Sequence, residues 1–214
     1  MMEILLGTSN PSKVDYFARQ LADYDVTFLT LRDLGITKLP DEDGKNPIEN
    51  AMAKAAFYGQ FADFVISADS ALYIRELPLE DPRQPGLFIR RHPEGGEMND
   101  EEMIAHYSAL ARQLGGKMTC WYQDGYAVCN HGKVTGFMDT GPVNDVYSFY
   151  MVDTPHPNRV PGWPLDSISI RRKSGAYFVE SREEHMTAAE EVLAKHFRQD
   201  LLAFYERALG LRRR

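Results

Sequence analysis

Three short stretches of the sequence gather the hydroxyl, amide and charged side chains that chemistry on phosphates uses. In the first, Thr8-Ser9-Asn10-Pro11-Ser12-Lys13 follows an apolar run at 3–6 and precedes Val14, Phe17, Ala18 and Leu21, which recur at helical spacing. The first turn of a helix exposes unpaired N–H groups and the positive end of the helix dipole, so a turn placed there favours an anion. Ser9, Asn10 and Ser12 can cap the helix or donate to phosphate oxygens, and Lys13 adds a point charge. An ordinary cap with an exposed lysine has the same spacing. The stretch is not a Walker A loop, which needs Gly-Lys-Ser/Thr after a longer glycine-rich run.

The second stretch runs from Glu42 through Gly44, Glu49 and Asn50 to Lys54. Asn50 and Lys54 stand four apart, which puts both on one helix face and lets them point at a common ligand. Glu42 lies in the preceding loop, where a carboxylate can take a hard cation. Mg2+ uses only one or two carboxylates and completes its shell with water and substrate phosphates. A surface Lys45–Glu49 pair beside a solvated Lys54 is the plainer account. The third stretch is Asp69-Ser70, expected just past a short buried strand at 64–66. Open α/β sheets bind ligands beyond the carboxyl ends of their strands, so a carboxylate here can hold a metal or accept a proton from an attacking water. A turn cap is the alternative.

The elements that must position these residues follow from composition and periodicity. The 214 residues, 43% hydrophobic and 11% aromatic, are enough for a sizeable core, and the formal charge of −7 argues against a broad basic face for nucleic acid or anionic membrane. The beginning of the sequence lacks the basic segment of a signal peptide, and no run approaches the ~20 apolar residues that cross a bilayer. Cys120 and Cys129 have no partner at metal-ligand spacing and read as strand thiols in a reducing compartment, so a cytoplasmic setting is expected.

Strands are expected at 3–6, 26–31, 64–66, 120–130, 133–139 and 146–153. Helices are expected after Ser12, from Ile48 to about Phe61, over 99–114, and over 192–209. The stretch 75–100, with prolines at 78, 82, 85 and 93, reads as a long surface connection. Strands alternate with helices early and cluster later, which predicts an α/β fold with a mixed sheet.

Taken together, the stretches resemble the inosine triphosphate pyrophosphatase family, which removes non-standard purine triphosphates such as ITP, dITP and XTP. Its Thr/Ser-x-Asn-x-x-Lys pattern is matched by Thr8, Asn10 and Lys13. Its acidic residue and glycine, followed by Glu-Asn-Ala-x-x-Lys-Ala, are matched by Glu42, Gly44, Glu49, Asn50, Ala51, Lys54 and Ala55. Its Asp-Ser-Gly-Leu appears as Asp69-Ser70-Ala71-Leu72, and a Pro-Gly-x-x-x-x-Arg stretch as Pro85, Gly86 and Arg91. Order and separations agree over roughly residues 1–130.

The resemblance implies one domain over 1–214, with a long mixed sheet flanked by helices in two lobes around a central cleft, as a homodimer. It implies hydrolysis of a nucleoside triphosphate to the monophosphate and pyrophosphate, with Mg2+. Lys13 and Lys54 would hold the triphosphate, Glu42 would bind Mg2+, and Asp69 would be the general base or a second metal ligand. Ser70 and Arg91 would lie near the phosphates or the dimer surface.

The base-binding signature is matched only loosely by Pro161-Gly162-Trp163-Pro164-Leu165-Asp166, and Lys195, His196 and Arg198 are the nearest candidates for the terminal purine-reading motif. Trp163 would stack on the base and Asp166 accept from a base N–H. The family usually has two adjacent aspartates where this chain has Ala68-Asp69. Two alternatives therefore stay open: a septum-formation-inhibitor-like pyrophosphatase acting on pyrimidine or modified triphosphates, and a nucleotide-binding module with impaired catalysis.

Overall fold

The computed structural model describes residues 2–92, 95–139, 141–180 and 185–214. Their elements in chain order are β1 (Met2–Leu6), α1 (Pro11–Gln20), β2 (Val26–Thr30), α2 (Pro47–Tyr58), β3 (Phe64–Ile74), α3 (Asp100–Gln113) and β4 (Lys117–Asn130). There follow β5 (Lys133–Met138), α4 (Pro142–Val146), β6 (Phe149–Val152), a 3-10 turn (Pro164–Ser167), β7 (Ser169–Ile170) and α5 (Ala188–Leu209). Among the described residues seven strands form one sheet, in the order β2-β1-β3-β4-β6-β7, with β5 pairing β4. β1 runs parallel to β2 and β3, whereas β4 is antiparallel to both β5 and β6. The fold is the mixed α/β sheet with flanking helices that the sequence predicts.

Local sequence explains the helix starts. Asn10 caps α1 by accepting the Ser12 N–H, and Pro11 follows where no intrahelical N–H is needed. Asn46 and Pro47 repeat the device at α2, and α3 opens with a reciprocal Asn99–Glu102 capping box.

The chain divides into two compact units. The first comprises Met1–Ser70, Gln123–Thr140 and Ala194–Arg214; the second comprises Ala71–Tyr122 and Gly141–Leu193. In the first unit β1 is buried on both faces, as parallel strands are. Ile4 and Leu6 pack with Phe17 and Leu21 of α1 and with Leu201 and Tyr205 of α5. Leu5 packs on the other face with Ala51 and Ala55 of α2. In the second unit the apolar face of α3, with Met103, Ile104, Tyr107 and Leu110, covers Met118 and Cys120 of β4 and Met151 of β6.

Several boundaries differ from the sequence expectation, and one matters for the site. β3 does not end at Ile66 but continues to Ile74, so Asp69 and Ser70 lie inside a strand rather than past one. The apolar residues Ala71, Leu72 and Ile74 are fully buried and carry the strand on. α2 stops at Tyr58, β4 begins at Lys117, Val146 falls in α4, and α5 starts at Ala188. Cys120 and Cys129 are free and buried. Nine residues apart on one strand, they point to opposite faces.

Candidate active site

β1 stops at Leu6 while its neighbour β3 runs on: Gly7 N–H makes the last bond to β3, donating to Ile66 O at 2.8 Å, and the backbone then turns, with Thr8 N–H donating to Leu6 O at 2.8 Å. Asp69 therefore stands beyond the carboxyl end of β1 although it lies within β3. The departing turn is self-braced, with Asn10 N–H donating to Thr8 Oγ1 at 3.1 Å and Ser12 N–H to Asn10 Oδ1 at 2.9 Å. Ser9 is exposed at its tip. One turn into α1, Lys13 reaches back to β3, its Nζ donating to Ala68 O at 3.3 Å. The first and third stretches of the sequence thus meet.

α2 brings in the second. Lys54 Nζ lies 2.8 Å from Asp69 Oδ1 and 3.0 Å from Glu42 Oε1, so one ammonium joins two carboxylates that are 27 residues apart in sequence. Asn50, one helical turn earlier, donates from Nδ2 to Asp69 Oδ2 at 2.9 Å and accepts the Gly44 N–H on Oδ1 at 2.8 Å. Asn50 thereby pins the acidic loop to the strand. A Cβ on Gly44 would stand 2.5 Å from Asn50 Oδ1, which is why the loop has glycine there. Glu49 plays a local part, accepting the Lys45 backbone N–H at 2.8 Å rather than pairing with its ammonium.

Successive strand residues face opposite sides, so Ser70 points away from α2. Its hydroxyl donates to Asp124 Oδ1 of β4 at 2.5 Å, and Asp124 N–H donates to Asp139 Oδ1 at 2.9 Å. Sequence reasoning did not single out Asp124 or Asp139. The signal it had was Gln123-Asp124-Gly125, a polar interruption of an otherwise apolar strand. Gly125 has its own reason, since a Cβ there would lie 2.4 Å from Ile48 N, where α2 begins.

The two ammoniums are set in opposite directions by their surroundings. Burial would lower the Lys54 ammonium, but the charge and hydrogen bond of Asp69, supported by Glu42, hold it above its ordinary value. Lys13 is held below its ordinary value, first by removal from water and then by the charge of Lys54, against the pull of Asp69, Asp124 and Glu42. An arriving phosphate would favour the charged form of Lys13. Removal from water pushes Asp124 upward, and burial followed by the Asp124 charge raises Asp139 to about 7.

No group of three or more His, Cys, Asp or Glu side chains among the described residues is arranged to hold a metal ion. Two hard oxygen donors on one ammonium, Asp69 nearly buried and Glu42 half exposed, do fit a divalent cation that brings its remaining ligands on a substrate.

The other sequence candidates are not among the hydrogen-bonding partners named above. Arg91, Trp163 and Asp166 belong to the second unit. There the Arg91 guanidinium covers the Phe88 ring at 3.4 Å, and Trp163 O accepts the Asp166 N–H at 3.1 Å. His196 and Arg198 occupy exposed positions on α5. No described helix is long and apolar enough to cross a membrane.

Comparison with known proteins adds an independent finding. The sequence pattern of the Ham1 family matches residues 4–144. A dITP/XTP pyrophosphatase of Thermus thermophilus is 30% identical over 151 residues, covering 66% of this chain and 70% of the relative. A HAM1 protein from Coxiella burnetii is similar in structure with a TM-score of 0.64 at 19% identity, over 93% of this chain and 100% of its own. The Staphylococcus aureus Ham1 protein gives 0.62 at 19% identity, over 92% and 99%. The family match spans Lys13, Glu42, Asn50, Lys54, Asp69, Ser70, Asp124 and Asp139, and ends before Trp163, Asp166, His196 and Arg198.

Proposed function

The chain belongs to the Ham1 family, and from that premise we propose that it hydrolyses non-standard purine nucleoside triphosphates, dITP and XTP among them, to the monophosphate and pyrophosphate. The observation that carries the proposal is Lys54 held between Glu42 and Asp69. It assembles a phosphate-binding cation, a candidate metal ligand and a candidate base at the carboxyl end of β1.

The chemistry is displacement at the α-phosphorus. A water oxygen bonds to phosphorus, the bond to the α–β bridging oxygen breaks, and pyrophosphate leaves with that electron pair. Such transfers need positioning and charge neutralisation more than covalent help from the protein. Lys13, Lys54 and the start of α1, with Thr8, Ser9 and Asn10, bind the triphosphate and offset charge on the leaving group. Asp69, oriented by Asn50, takes the proton of the attacking water.

Glu42 and Asp69 are the residues that would hold Mg2+. When bound, Mg2+ supplies charge neutralisation at the phosphate oxygens and a more acidic water. Trp163 and Asp166 read the base in this account, with His196 and Arg198 supporting, and Arg91 serves the phosphates or a dimer surface. The proposed enzyme is a cytoplasmic homodimer.

An alternative substrate class is a pyrimidine or modified triphosphate. It is favoured by the end of the family match at residue 144, ahead of every base-reading candidate. A panel of dITP, XTP, ITP, dUTP, TTP and the common triphosphates with Mg2+, scored for pyrophosphate, tests both. Preference for the first three supports the proposal, and preference for dUTP or TTP replaces it.

A further inference from the structure

Asp124 is a carboxylate in the middle of a fourteen-residue strand, a place where an ionised group is costly unless bound. What binds it comes largely from the phosphate-handling site. Ser70 donates to Oδ1 at 2.5 Å, and the Tyr126 hydroxyl approaches Oδ2 at 3.4 Å. Removal from water pushes the Asp124 carboxyl up, and the Ser70 hydrogen bond and the Lys13 charge are the two largest influences that oppose it. The interaction is mutual, since Asp124 also helps Lys13 to stay charged.

Ala68 faces the same side of β3 as Ser70, two residues on, and packs in the apolar cluster that contains Tyr126. It brings no charge to this face, and its carbonyl is the acceptor of Lys13. Among the charges that favour the Lys13 ammonium, Asp69 of β3 comes first and Asp124 of the adjacent strand second.

We propose that Asp124 is a positioning residue for triphosphate hydrolysis: from β4 it fixes the hydroxyl of Ser70, the residue next to the candidate base Asp69. The proposal rests on the pyrophosphatase function above. It also assigns Ser70 a role different from phosphate donor. With its proton committed to Asp124, the hydroxyl presents lone pairs, and it accepts from an arriving donor such as a water rather than donating to a phosphate oxygen.

A double-mutant cycle tests this. Wild type, Ser70→Ala, Asp124→Asn and the double variant are compared for kcat and KM on ITP with Mg2+, for the dissociation constant of inorganic tripolyphosphate with Mg2+, and for Tm. Each single variant is expected to lose about ten-fold or more in kcat/KM, with the double variant no worse than the weaker single, because the two groups act as one unit. Tm of Asp124→Asn should stay level or rise, since a desolvated charge has been removed.

Losses that multiply in the double variant, a wild-type kcat/KM for Asp124→Asn, or a rate loss that follows a fall in Tm each overturn the proposal. Should wild type release pyrophosphate from no triphosphate, the hydrolytic function fails by itself. Tripolyphosphate binding then decides for Asp124: coupled weakening in the cycle keeps the Ser70–Asp124 pair as a binding device, and unchanged binding overturns it.

Discussion

Lys54 and Asp69 form an ion pair almost closed to solvent: Nζ and Oδ1 are 2.8 Å apart, and the side chains retain 13% and 11% of their exposure. Removing one member leaves the other charge in poor surroundings, and the two removals are not equivalent. Lys54 keeps the direct ion pair with Glu42 when Asp69 is neutralised, whereas Asp69 keeps the Asn50 amide and the charge of Lys13 when Lys54 is lost.

Lys54→Met is therefore expected to destabilise the protein by about 3 kcal/mol, the range found when one partner of a buried pair is removed. Asp69→Asn should cost clearly less. Urea unfolding of the two variants checks the order, and equal losses would show that Glu42 does not hold Lys54.

Gly44→Ala is expected to act on activity through Asn50. The added methyl would sit 2.5 Å from Asn50 Oδ1 and displace the amide that orients Asp69. A loss of about ten-fold in kcat/KM is expected, in keeping with second-layer partners elsewhere. Asn50→Ala should show a similar loss, and Gly44→Ala should add little to it.

Chelation by EDTA should abolish hydrolysis, and excess Mg2+ should restore it. Glu42→Gln keeps the hydrogen bond to Lys54 within reach but removes a charge, so about ten-fold more Mg2+ should be needed for half-maximal rate. An unchanged Mg2+ requirement would remove Glu42 from the metal site.

The Asp139 carboxyl, raised to about 7 by burial and by the Asp124 charge, makes a pH-dependent contribution to stability. Between about pH 4 and pH 7 the folded chain holds this proton and the unfolded chain has released it. Stability from this group is thus greatest at low pH and falls as pH rises through the window. Asp139→Asn cannot ionise, so the Tm of the variant relative to wild type should increase from pH 5 to pH 8. A constant difference would show that the folded-state pKa of Asp139 is not raised.

Much of the site was legible because its parts are local. Asn10-Pro11 and Asn46-Pro47 announce helix starts, and the four-residue spacing of Asn50 and Lys54 puts them on one face whatever else the chain does. The extent of β3 was less legible. Ala68-Asp69-Ser70 reads as the end of an apolar run, and only pairing with the neighbouring strand and burial of Leu72 and Ile74 carry the strand through it. Asp124 was missed for the same physical reason, since its partner Ser70 lies 54 residues away and nothing local distinguishes it from a turn residue. The sequence also joined Trp163, Asp166, His196 and Arg198 to the site by family order alone, and none of the cluster's hydrogen bonds described above includes them.

The most direct test of the central claim follows the products of ITP hydrolysis with Mg2+. Pyrophosphate and inosine monophosphate should appear one for one, and Asp69→Asn should lower the rate by about 10²–10⁴-fold, the contribution typical of a positioned general base. Release of orthophosphate with the diphosphate, or an Asp69→Asn variant as fast as wild type, would contradict the account.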